Sequence, residues 1–489
     1  MSYKIKINGN EITAHKARVS AVPFNRRWPG HQRGLEQSEI IDFLLLTVEE
    51  PMNFEIETEE KFEDVVIRPK SLGITPEVSE DGIIRFTLNK PAYFTVEPYG
   101  RRNALHIFAD SPKEYDINKD DENVIYFGKG EHDVGMINLK SNQTLFIDEG
   151  AVVYACVRAI DAENIKILGR GILDNSRNKA QILFEANEEN NMFAVKNAVR
   201  LHTVQLEYCT DIEIEGITIR DSLVYNIRPI GCENLDIQNV KIIGCWRYNS
   251  DGIDMHNCVN VNIDNCFIRT FDDSICVKGF DCYYEGDVEK AVNEAMYRNG
   301  KSYDVFKNIR IKNCVIWNDW GKCLEIGAET RAEEICDVIF EDCDIIHVTS
   351  LILDCMNVDY ADVHDVTFKN INVELDDIIP EPALQCFDDQ TYENKNPDFV
   401  PAIINVDVSY HPEYSAGGER RGKNRDILFD NIRVYGRHLP IVSIYGYDEE
   451  HLSSNITISD FYVNDELVSE YEFHKNEFTE NIKINGEDK

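Results

Sequence analysis

Three aspartates of one short stretch carry the chemistry this chain can do. The first lies in Asn249-Ser250-Asp251-Gly252. The other two open Asp272-Asp273-Ser274-Ile275-Cys276-Val277-Lys278-Gly279. If the residues between them make one turn of a repeating coil, the three carboxylates converge on a patch a few ångströms across. Crowding of that kind raises the pKa of one carboxyl while its neighbour stays ionised. One group can then give a proton and another can take one, which is the requirement of acid/base hydrolysis.

The coil that must hold them is written as a repeat. From residue 164 a unit recurs that begins with Asn or Asp and then alternates apolar and polar residues. It starts at Asn164, Asp211, Asn234, Asn260, Asn308, Asp337, Asp365, Asp426 and Asn455. The period of two makes each unit a strand with one buried face. Copies with no insertion between them lie about 23 to 29 residues apart, too close for a crossover helix between every pair of strands. Stacked turns that cover one another's apolar faces satisfy that spacing. Cys266, Cys314 and Cys343 take the same place in three successive units and read as an internal ladder of small apolar side chains.

The expected fold class is all-β: a right-handed parallel β-helix over residues 116–475, preceded by a small antiparallel β-sandwich over 1–115. A polar tail is expected at 476–489. Two insertions interrupt the coils, at 280–306, with a helix expected around Val288–Tyr297, and at 376–424. Insertions of solenoids tend to leave on one face and to border a cleft.

Matching buried residues sets the register. Ile253 and Met255 align with Ile275 and Val277, and then with Leu324 and Ile326. Asp251, Asp273 and Lys322 then stack in one file, with neighbouring coils about 4.8 Å apart. Asp254, Cys276 and Glu325 form the next file, and His256 and Lys278 the one beyond. The catalytic candidates are Asp251, Asp272 and Asp273. Lys322, Lys278, Glu325, Asp254, His256 and Asn249 are candidates for binding the substrate. No metal and no cofactor are called for.

A net charge of −38 over 489 residues argues against nucleic acid and anionic membranes as partners. Hydrophobic and aromatic contents of 43% and 10% belong to a folded protein. No run approaches the roughly 18 apolar residues of a membrane helix. The first residues alternate like a strand and lack the apolar core of a leader. Fourteen cysteines without a CxxC pair or zinc-ligand spacing indicate free thiols. Together these features suggest a cytoplasmic protein.

The aspartate segment resembles the polygalacturonase family of β-helix glycoside hydrolases. Its signature is Asn-Thr-Asp-Gly, an Asp-Asp pair one coil later and a Gly-His-Gly in the next; here the first two read Asn249-Ser250-Asp251-Gly252 and Asp272-Asp273. The resemblance runs from about residue 125 to 465. The preceding β-domain is more similar to the dextranase and isopullulanase family of the same clan. The resemblance implies an inverting hydrolase in which Asp272 is the general acid, while Asp251 and Asp273 activate water. Inversion further asks for about 6.5–9.5 Å between acid and base carboxyls. Two departures bear on the substrate. Lys322, within Gly321-Lys322-Cys323, replaces the family histidine. The Arg-Ile-Lys that grips a galacturonate carboxylate falls where this chain reads Ile352-Leu353-Asp354. A neutral oligosaccharide is therefore the expected partner.

Two other functions compete. A β-helix lyase or epimerase acting on uronates would need a cationic or Tyr/His base and often Ca²⁺, and the absent cationic pair argues against it. A non-catalytic carbohydrate-binding solenoid would leave the aspartates without a task.

Overall fold

The computed structural model describes residues 2–22, 24–27, 34–178, 202–280, 296–385, 398–412, 414–415 and 420–489. From Val124 to Asp488 the strands join in one continuous 31-stranded sheet in which pairing runs from coil to coil. One file stacks Thr210–Glu215, Glu233–Gln238, Val259–Asp264 and Val305–Lys312 in parallel. The file that carries the site stacks Ile227–Ile230, Ile253–His256, Ile275–Lys278, Leu324–Ile326 and Leu353–Asn357. This is a parallel β-helix. Its interior is a single apolar core running the length of the coil, and Cys266, Cys314 and Cys343 lie inside it as free thiols.

The repeat's leading Asn or Asp has a definite task. All nine of these residues adopt positive φ, between 51° and 59°, a conformation that Asn and Asp tolerate better than other residues with a Cβ. Their side chains also stack. The Asn234 amide donates to Asp211 at 2.8 Å, Asn260 to Asn234 at 2.9 Å and Asn308 to Asn260 at 2.7 Å. Each of these corners is thus turned, and those at Asn234, Asn260, Asn308 and Asn455 are also tied to the corner before them.

Two five-stranded sheets occupy Tyr3–Asp110 and enclose a core that includes Ile5, Phe54, Ile56, Phe94 and Ile107. The expected antiparallel sandwich is observed, with one parallel pair within it: Ser38–Thr47 runs parallel to Leu105–Asp110. The chain between them visits the other sheet and returns, so both strands enter from the same end. The apolar run Phe43-Leu44-Leu45-Leu46 has both faces covered. Leu44 points into the sandwich core, whereas Phe43 joins Phe108, Phe267, Val315 and Trp317 between sandwich and helix.

Residues 476–489 are not a tail. Thr479–Ile484 stacks in parallel on Ser453–Ile458, with Ile482 and Ile484 buried; two apolar residues at period two suffice to close the last coil, and the surrounding charges concealed them. Residues 288–295 of the expected insertion helix lie outside the described residues, and Tyr297 belongs to the short strand Tyr297–Arg298. No helix among the described residues is long and apolar enough to cross a membrane.

Candidate active site

The register expected from the buried residues is the one observed. Ile253, Ile275 and Leu324 align, as do Asp254, Cys276 and Glu325, and His256 pairs with Lys278. Asp251, Asp273 and Lys322 precede these strands at equivalent turns, where the Gly252 amide donates to the Asp273 carbonyl and the Ser274 amide to the Lys322 carbonyl, each at 2.8 Å. The turn around the aspartate pair is pinned from inside. The buried Asn318 amide donates to the carbonyls of Asp272 at 2.8 Å and Lys322 at 3.0 Å, and Thr270 Oγ1 donates to the Asp272 carbonyl at 2.6 Å. Gly321 passes so close that a Cβ there would lie 2.5 Å from the Asp273 nitrogen and 2.7 Å from its Oδ1. No other residue fits at that crossing.

Oxygens of Asp251, Asp272 and Asp273 come within 4.8 Å of one another. They line a pocket of about 220 Å³ together with Asn249, Lys278, Lys322, Glu325 and Glu329 and an aromatic rim that includes Tyr225 and Trp320. That is less than the roughly 300–1,000 Å³ of a drug-sized ligand site, a scale that suits one or two sugar rings. Asp272 is 7% exposed and faces this pocket, not bulk solvent as a surface turn would.

Lys278 is the cation among the aspartates. Its Nζ lies 2.9 Å from Asp254, 3.2 Å from Asp273, 3.7 Å from Asp251 and 3.8 Å from Glu329. Lys322 does not pair with Asp251 or Asp273 through its side chain, as its place in the file suggested, and its ammonium acts on Asp273 only from further off. Its backbone amide donates to Asp273 Oδ1 at 3.0 Å, while its ammonium turns away to pair with Glu325 and, at 2.8 Å, with Asp354. The reason is side-chain alternation: Glu325 and Asp354 occupy one outward file, and the long Lys322 side chain reaches both.

Burial beside Asp254 and Asp272 pushes the Asp251 carboxyl well above the usual carboxylate range. Burial acts the same way on Asp273, but the ammoniums of Lys278 and Lys322 and the Lys322 amide overcome it, and its carboxyl is held below that range. Burial and the negative charge of Asp273 push Glu325 well up. The crowded group is thus split, with Asp251 and Glu325 pushed up and Asp273 held down.

Not every expected binding residue reaches the pocket. Asn249 lines it from a turn with φ 53°. Asp254 and His256 lie beneath the floor: Asp254 is fully buried against Lys278, and His256 is buried with Nδ1 3.0 Å from the Gly279 carbonyl and Nε2 facing Arg228. Tyr225 and Glu329 were missed. Extending the register one coil back, from the pairing of Ile227 with Ile253, places Tyr225 over Asp251, so its signal was available. Glu329 sits on the loop after Leu324–Ile326, where no periodicity announces it. The three aspartates are near enough for a divalent cation, but the Lys278 ammonium already supplies positive charge there.

The family model for glycosyl hydrolases family 28 matches residues 132–411, more than half of the chain. Over 211 residues the chain is 28% identical to a polygalacturonase of Gossypium barbadense, covering 40% of this chain and 49% of that one. Over 184 residues it is 28% identical to a probable polygalacturonase of Vitis vinifera, covering 32% and 38%. The chain therefore spans about half, or less, of the length of these curated relatives. Dex49A from Penicillium minioluteum is similar in fold over 95% of this chain and 89% of that one, with a TM-score of 0.52 and 16% identity.

Proposed function

The chain belongs to glycosyl hydrolases family 28, and from that premise we propose that it hydrolyses glycosidic bonds of short neutral oligosaccharides with inversion. The observation that carries this reading is the carboxyl cluster: three aspartates within 4.8 Å at a pocket of sugar size, with Asp272 facing the pocket and Asp273 held down as an ionised base.

In this reading Asp272 gives its proton to the glycosidic oxygen as the bond from the anomeric carbon to that oxygen breaks. A water lying beside Asp251 and Asp273 adds to the anomeric carbon from the opposite face and loses a proton to Asp273. The proton gained by Asp273 returns to Asp272 through the same cluster or through solvent, and the enzyme is restored.

The nearest carboxyl oxygens are closer than the roughly 6.5–9.5 Å of most inverting pairs, so the stereochemical part of the proposal rests on the state of Asp273. Both of its oxygens are engaged, one by the Lys322 amide at 3.0 Å and the other by Lys278 at 3.2 Å. A carboxylate so held is suited to anchoring water and poorly placed to become a covalent nucleophile.

The neutral substrate is supported by the state of the pocket's cations: both of its ammoniums, Lys278 and Lys322, are already paired with carboxyl groups of the protein. The relatives named polygalacturonases favour a second reading, hydrolysis of galacturonides. The test is a panel of neutral oligosaccharides, aryl glycosides and oligogalacturonides given to the purified protein and to Asp272→Asn. The proposal expects turnover of a neutral glycoside that falls by about 10²–10⁴-fold in the variant on unactivated substrates. Hydrolysis of none of the panel, or an undiminished variant, refutes it.

A further inference from the structure

We propose that Lys278 is a positioning residue that keeps Asp273 ionised as the single base of the cluster and leaves Asp251 as its protonated neighbour. The use of this arrangement in turnover rests on the hydrolase reading above; the charge arrangement itself does not.

Lys278 is 3% exposed, and its one positive charge faces four carboxyl groups. It cannot neutralise them equally. Asp254 and Asp273 lie nearest, at 2.9 and 3.2 Å, and Asp251 stands off at 3.7 Å. Asp273 has further support: its other oxygen accepts the Lys322 amide, and its side chain keeps 17% of its surface exposed. Asp251 has neither advantage. Its side chain is 2% exposed, and its Oδ1 has no hydrogen-bond partner among the described residues.

The groups that face this pair come from four sides. The coil before Asp251 presents Tyr225, and the coil of Asp251 itself presents Asp254; the coil of Asp273 presents Asp272 and Cys276. The following coil presents Lys322 and Glu325, and the loop beyond it Glu329. Lys322 is committed to Glu325 and Asp354, so Lys278 is the cation whose distances separate Asp273 from Asp251. An ionised Asp251 would add a further negative charge within reach of Asp254, Asp272 and Asp273. An Asn at 251 reproduces the shape and donor of the protonated acid.

The test has an arm that needs no substrate. In difference infrared titration of the free enzyme, the carboxylate signal removed by Asp273→Asn protonates below the ordinary Asp range in wild type. It moves up by about one pH unit or more in Lys278→Met and stays low in Lys278→Arg. At neutral pH a protonated-carboxyl band is present in wild type and missing from Asp251→Asn. In kinetics, Asp273→Asn loses about 10²–10⁴-fold, and Lys278→Met moves the acidic limb of the pH–rate profile upward. An unmoved Asp273 titration in Lys278→Met overturns the proposal, as does an Asp251→Asn protein without a missing band. Should Lys278→Met fail to fold, the infrared comparison of the two Asn variants decides alone. A wild-type protein that hydrolyses no glycoside defeats the hydrolase reading, and the infrared titrations then decide the role of Lys278 by themselves.

Discussion

The ammonium of Lys322 lies 2.8 Å from the carboxylate of Asp354, one coil further on. The turn at which an anionic sugar would need a free cation is therefore closed by an internal ion pair, with Asp354 itself fully buried. A uronate placed there meets a cation already engaged and the carboxylate of Asp354. We expect kcat/KM for neutral oligosaccharides to exceed that for the matching galacturonides by roughly 100-fold, since like charges set against each other at a binding site cost several kcal/mol. Competition assays with paired neutral and uronate substrates measure this directly, and a preference for the galacturonide would reverse the assignment.

The same pair is a stability element. Lys322→Met leaves Glu325 and Asp354, both fully buried, without their cation. Removing one partner of a buried pair typically destabilises by about 3–5 kcal/mol. Chemical denaturation should show a loss of that order. Lys322→Met combined with Asp354→Asn should recover part of it, and an additive double variant would show that the two side chains do not interact.

Stereochemistry separates base from nucleophile. Water activation by Asp273 inverts the anomeric configuration of the first product. Proton NMR at early times, before mutarotation, should display the inverted anomer. A retained anomer would make one of the aspartates a covalent nucleophile and remove the water from the first step.

Acid stability should be set where the sandwich meets the helix. Arg68 pairs with Glu97, Glu374 and Asp376; Arg101 also holds Asp376; and His347 lies 3.0 Å from Glu97 and 2.9 Å from Asp376. Burial works to raise Asp376 and Glu97, but His347 and the arginines prevail, and both carboxyls are held below their ordinary range. A carboxyl depressed in the folded state adds stability that is complete above its unfolded pKa, about 4, and is lost as pH falls toward the folded value. Thermal stability should therefore fall as pH drops below about 4. In Arg68→Met, with less depression to lose, the fall should be shallower from a lower starting point. Melting curves from pH 7 to pH 3 test this.

The corner ladder makes a local prediction. Asn260 has φ 59° and bridges Asn234 and Asn308. Asn260→Ala should cost about 1–2 kcal/mol from backbone strain alone, whereas Asn260→Gly keeps the turn and loses only the ladder bonds. Equal losses in the two variants, measured by urea unfolding, would mean that φ is not what this position is selected for.

The β-helix could be read from the chain because its rules are local and repeated. The leading Asn or Asp of each unit turns a corner, the alternating apolar residues after it fill the core, and a single register of buried residues aligns every coil. That register also brought Asp251, Asp272 and Asp273 to one place, since coil spacing is set by backbone hydrogen bonds and not by the side chains. The parallel pair in the sandwich and the closing strand at Thr479–Ile484 were hidden, because pairing partners far apart in sequence leave no periodic trace. How charge is shared depends instead on tertiary packing. A file places Lys322 next to Asp273, but a lysine carries its charge several bonds from its Cα and swings to whichever carboxylates lie within reach. Glu325 and Asp354 hold it, Lys278 serves the aspartates instead, and Glu329 arrives from a loop outside the repeat.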